Sequence, residues 1–178
     1  NKKNTTAMIK TYICTFFFSF MYDLKLTIIS HAHILCREAR FGEAAHLGHV
    51  CWLEISGHIS ETIFRPGVYV VSFRIMLSNV FGFRGSPIKL SLSTSNGQHT
   101  ESERFFQGDQ TRCETVAPLR SMGDRWLELD VGTFSVHEEM PLSVKFSLME
   151  IEGGAWKRGL VVDCVKIQPF DHISGTFI

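Results

Sequence analysis

The chain has 178 residues, enough for one domain with a substantial core, and its 44% apolar against 20% charged residues exclude a disordered chain. Lys plus Arg and Asp plus Glu each number 18, so no net field draws the protein to nucleic acid or to an anionic membrane. The five cysteines are odd in number and widely spaced with no C-x-x-C pair, which excludes a zinc ribbon and points to a reducing compartment, the cytosol or nucleus.

The first residue is Asn rather than Met, so the chain is expected to be a fragment or an incomplete product. Residues 12–22, YICTFFFSFMY, are too few for a bilayer span, which needs about 20, and read as a buried or misassigned apolar segment rather than a signal-peptide core. Residues 24–29, LKLTII, are a weak strand signal. Residues 36–47 are rich in Ala, Glu and Arg and form the one helix candidate, weakened by about 1 kcal/mol at Gly42.

From residue 50 the pattern has period two, the mark of strands with one buried face. HVCWLEISGHIS alternates Cys51, Leu53, Ile55 and Ile59 with Trp52, Glu54, Ser56 and His58. GVYVVSFRIML places Tyr69, Val71, Phe73, Ile75 and Leu77 on one face. IKLSLST sets Ile88, Leu90 and Leu92 against Lys89, Ser91 and Ser93. RWLELDVGTF sets Leu127, Leu129 and Val131 against Trp126, Glu128 and Asp130. LSVKFSL sets Leu142, Val144, Phe146 and Leu148 against Ser143, Lys145 and Ser147. LVVDCVKI is apolar on both faces apart from Asp163 and Lys166, as expected of a central strand covered on both sides. Cys51 and Cys164 read as small buried hydrophobes. RPG at 65–67, SNG at 95–97 and EGG at 152–154 are turns. Residues 98–124 read as a long loop with a short strand at 103–106. The sum is an all-β, antiparallel sandwich with little helix.

Catalytic arrangements are missing from this pattern. There is no G-x-S-x-G, H-E-x-x-H or phosphate-binding glycine loop. Among the histidines are His31-x-His33 and His46-x-x-His49; the first could pair on one face of a strand, but apart from Cys36 no carboxylate or Cys stands at a supporting spacing. Adjacent Glu138 and Glu139 read as a solvated loop. The expectation is a protein that is not an enzyme and uses neither cofactor nor metal.

The tryptophans carry more information. An aromatic ring among polar residues can stack on the C–H face of a sugar while neighbouring groups bond its hydroxyls. Trp52 with Glu54, Trp126 with Glu128, and Trp156 with Lys157 have that composition and are the candidate carbohydrate-binding residues. The alternative for each ring is packing beneath a loop or an arginine stem.

The segments RFGEAAHLGHVCWLEISGHI, FRPGVYVVSFRIML, LSLSTSNGQ, DRWLELDVGTF and KFSLMEIEGGAWKRGLVVDCVKIQP follow one another as in the phloem protein 2, or Nictaba-like lectin, family, which they resemble over residues 40–169. That domain also forms the C-terminal half of a group of plant F-box proteins. The resemblance implies a jelly-roll-like β-sandwich of the carbohydrate-binding-module type. It implies glycans or glycoproteins as partners, with N-acetylglucosamine oligomers or N-glycan cores as ligands. In F-box members it implies substrate recognition for a Skp–cullin–F-box ubiquitin ligase through protein contacts. It further implies that Trp52 is a scaffold residue covered by the N-terminal segment.

The expected division is an atypical N-terminal segment at 1–36, the phloem protein 2 domain at 37–170 and a tail at 171–178. Two departures from the family weigh on the ligand. Residues 24–39, where the lectins carry stacking aromatics, contain no Trp, Tyr or Phe, and Ser143 stands where the family's late strand has an acidic residue. Weakened sugar binding is therefore expected.

Overall fold

The computed structural model describes residues 11–13, 24–28, 33–35, 43–83, 86–106, 120–121, 125–152 and 154–170. Its strands are β1 (Thr11–Ile13), β2 (Leu24–Ile28), β3 (His33–Leu35), β4 (Glu43–His46), β5 (Leu53–Phe64), β6 (Gly67–Phe81), β7 (Ile88–Thr94), β8 (His99–Arg104), β9 (Arg120–Ser121), β10 (Trp126–Val136), β11 (Met140–Glu150) and β12 (Arg158–Pro169). They form two sheets, ordered β1-β2-β5-β11-β7-β8 and β3-β4-β12-β6-β10-β9, and every pairing is antiparallel. From β5 to β12 the chain crosses repeatedly between the sheets, which gives the jelly-roll-like sandwich.

The period-two reading places the core correctly. Leu53, Ile55, Val71, Phe73, Ile75, Leu90, Leu92, Leu129, Val144, Phe146, Leu148 and Val165 are buried between the sheets, with Tyr69 and Leu127 packed at the margin. Phe73 and Phe146 meet edge to face across the sandwich at 5.8 Å. Phe64, Tyr69 and Phe134 close one end as a ring cluster with centroids 5.1–5.3 Å apart. β12 lies between β4 and β6 and is buried from Gly159 through Val165, as its two-sided apolar pattern requires.

Three expectations are corrected. The helix candidate ends in a strand: residues 43–46 are β4, and Leu47 continues toward β12 by donating to Leu160 O at 2.7 Å. Pairing with a buried central strand overrides the local preference of Ala and Glu; residues 36–42 lie outside the described residues. The strand sought at 103–106 instead spans His99–Arg104, because the Ser95-Asn96-Gly97 turn folds it directly back on β7, with Gly97 at φ +89°. Cys51 is exposed rather than buried, since β5 begins two residues later, whereas Cys164 is buried as read.

Most of residues 12–22, His31, the tail at 171–178 and Cys14, Cys36 and Cys113 lie outside the described residues.

Candidate functional site

The registers gather several loops at one end of the sandwich. β5 starts where β11 ends, with Leu53 opposite Glu150, and β7 starts beside them, with Lys89 opposite Met149. In the other sheet β6 ends where β12 starts, with Phe81 opposite Arg158. A bridge between Val50 and Lys157 ties the two connecting loops, with N–H···O bonds of 3.0 and 2.6 Å.

At this end a polar staple is buried. Lys157 is fully buried and its ammonium forms an ion pair with the equally buried Glu150 carboxylate. It also donates to Cys51 O and Ala155 O, each at 2.8 Å. The three partners match the three protons of an ammonium. Burial pulls the Lys157 pKa below the usual lysine value.

What the staple holds in place is apolar and exposed. Trp52 follows Cys51, and Trp156 lies between Ala155 and Lys157. Their exposures are 53% and 60%, and Phe81 at 61% and Ile151 at 37% share the same end. Trp52 Nε1 donates to Glu54 Oε2 at 3.3 Å. Arg158 lies over the Phe81 ring at 5.7 Å and within 3.5 Å of His49 Nε2. Gly82, at φ +86°, runs against the Trp156 backbone: a Cβ there would stand 1.9 Å from the carbonyl oxygen. The loop carrying Trp156 is thus fixed from both sides. Lys89 and Glu152 bridge the rim to β7 at 2.6 Å, and that hydrogen bond holds the Lys89 pKa above its usual value.

The candidate residues therefore separate. Trp52, Glu54 and Trp156 come together at the rim. Lys157 stands there too, but as the buried staple rather than a surface contact. Trp126 and Glu128 lie elsewhere, on the outer face of the second sheet, and are buried. Trp126 packs with Ala44 and Val161 and carries the Arg74 guanidinium 4.4 Å above its ring. Arg74 pairs with Asp163, and Glu128 with Lys166. For Trp126 the arginine-stem alternative is the one realised. Trp52 is more than half exposed, and most of the N-terminal segment that the resemblance implied would cover it lies outside the described residues.

Ile151 was not singled out from the sequence, and nothing there marked Phe81 as an exposed ring. Phe81 continues the odd-numbered inward face of β6, so alternation marks it as core. The chain leaves that register at Asn79, which has φ +52°.

Among the described residues no group of His, Cys, Asp or Glu is arranged to hold a metal ion, and no helix is long and apolar enough to cross a membrane.

The family model described as "Phloem protein 2" matches residues 24–169. The chain belongs to the phloem protein 2 family. Among its relatives, F-box protein PP2-A15 of Arabidopsis thaliana is 31% identical over 152 residues, covering 77% of this chain and 49% of the relative. A protein named lectin from Luffa acutangula is 30% identical over 129 residues, 71% of this chain and 55% of the relative. The chain thus spans about half the length of the curated relatives it matches. A solved carbohydrate-binding module, TmCBM61 in complex with β-1,4-galactotriose, covers 83% of the chain and 88% of its own at 15% identity and a TM-score of 0.41.

Proposed function

We propose that this chain is a non-catalytic carbohydrate-binding module whose ligand stacks on the aromatic rim of Trp156 and Trp52. One observation carries the reading: two tryptophans, more than half exposed, stand on loops fixed to each other through a buried ammonium. Exposed rings held rigidly keep their apolar surface available without an ordering cost on binding. Membership of a family with a relative named lectin supports the same reading. Glu54, already bonded to the Trp52 indole, offers a second carboxylate oxygen to a sugar hydroxyl.

The ligand expected from the family resemblance is an N-acetylglucosamine oligomer or an N-glycan core. Affinity should be weak. A few ring contacts plus hydroxyl hydrogen bonds worth a net of about 0.5–1.5 kcal/mol each give millimolar binding, near 4 kcal/mol. Calorimetry with chitotriose on the wild type and on Trp156→Ala tests this. Millimolar binding abolished by the substitution supports the reading. Micromolar binding overturns the weakened affinity, and a signal unchanged in the variant removes Trp156 from the site.

Relatives named F-box proteins favour a second reading, substrate recognition for a ubiquitin ligase through protein contacts at the same rim. Silence on a glycan array combined with capture of a protein that Trp156→Ala releases is its signature.

A further inference from the structure

The outer face of β5, β11 and β7 carries a surface that the rim does not use. Strand order there aligns residues distant in the chain. Lys145 of β11 lies directly opposite His58 of β5 on one side and Ser93 of β7 on the other. One step along the same face, Ser147 lies opposite Ser56 and Ser91. These side chains line a groove of about 530 Å³.

Sheet stability does not account for so many serines. Cross-strand pairs of aromatic or β-branched side chains each add roughly 0.2–1 kcal/mol, and a row of serines forgoes most of it. What short hydroxyl side chains do provide is a recessed polar floor, edged by the longer Lys145 and His58. Ser91 Oγ and Ser147 Oγ are 2.6 Å apart and bonded to each other, which leaves each further acceptor capacity. Lys145 and His58 are exposed and make no ion pair among the described residues.

The chemistry narrows the occupant. β5, β11 and β7 are each paired on both sides, so their backbone groups are used within the sheet and a peptide cannot add as a strand. Phe146, the one large apolar residue of the lining, is buried beneath the floor, so the groove lacks an apolar anchor for a protein partner. A bare anion is better served by converging N–H groups than by spread hydroxyls. Two residues along the strands and two strand spacings across give a floor of about 7 by 10 Å, the extent of one or two sugar rings.

We propose that this groove is a second saccharide subsite, selective for a short acidic sugar whose carboxylate sits against Lys145 and His58 and whose ring hydroxyls bond Ser56, Ser91, Ser93 and Ser147. It is independent of the rim, since it shares no residue with it.

The test is a calorimetric titration with the trimer of galacturonic acid, beside neutral chitotriose and sodium sulfate. Wild-type protein binds the acidic trimer, and Lys145→Gln weakens it by about tenfold or more, the loss of one charge-assisted hydrogen bond. Added salt weakens binding in step. Trp156→Ala, which removes the rim platform, leaves trimer binding intact; this separates failure here from failure of the rim reading. Lys145 is exposed, so its variant keeps the fold, which circular dichroism checks. No binding of the trimer, equal affinity in Lys145→Gln, or loss of trimer binding in Trp156→Ala overturns the proposal. Displacement of the trimer by sulfate at equal affinity also overturns it, since the site then takes a free anion only.

Discussion

Replacing Lys157 with methionine tests how the rim is built. The side chain keeps its length and apolar stem but loses the ammonium. Three groups then lose their donor: the carbonyls of Cys51 and Ala155 and the carboxylate of Glu150, whose side chain is 1% exposed. Each orphaned neutral acceptor costs about 1–3 kcal/mol where water cannot reach it. Breaking a buried ion pair on one side costs about 3–5 kcal/mol. These contributions overlap, and about 4 kcal/mol is the expected total. A domain stable by only about 5–15 kcal/mol is left marginal. At a urea slope of about 2 kcal/mol per molar the unfolding midpoint falls by about 2 M. The double variant Lys157→Met with Glu150→Leu removes both charges and should recover much of the loss, because an apolar pair of similar volume avoids the desolvation penalty. Urea unfolding followed by tryptophan fluorescence measures both variants. A single-variant loss below about 1 kcal/mol, or a double variant as unstable as the single, refutes the staple.

Phe73→Ala and Phe146→Ala should each cost about 3–5 kcal/mol; because the rings touch, the double variant should lose less than the sum in chemical denaturation. Trp126→Ala should destabilise by a similar amount while Trp156→Ala leaves the unfolding midpoint near wild type, and equal effects in calorimetric melting would contradict their opposite burial. Gly82→Ala forces a Cβ onto the Trp156 carbonyl at a positive φ, so a loss above about 1 kcal/mol is expected, with weakened saccharide binding as the rim loop shifts. Lys89→Met breaks a solvent-exposed pair and should leave the urea midpoint unchanged.

The strands were legible in the sequence because burial of one sheet face imposes period two on every strand that shares it. Leu53 with Ile55, Leu90 with Leu92, and Val144 with Phe146 reveal their side from their neighbours alone. Extended past Leu77, the same rule would carry Phe81 inward, but Asn79 turns the backbone out of register; and it gave no warning for residues 43–46, whose helical composition yields to pairing with β12. Trp52, Trp126 and Trp156 were identified as the informative side chains, but their fates diverge for reasons outside their own segments. Trp126 is buried with Arg74 of β6 above it, whereas Trp156 stands free because Gly82 and the Lys157 staple hold its loop at the rim. Local composition fixes which residues can form strands and which face of each is apolar. Which strand lies beside which is a matter of long-range pairing, and only that pairing puts Lys145 next to His58 and Ser93, or Glu150 against Lys157.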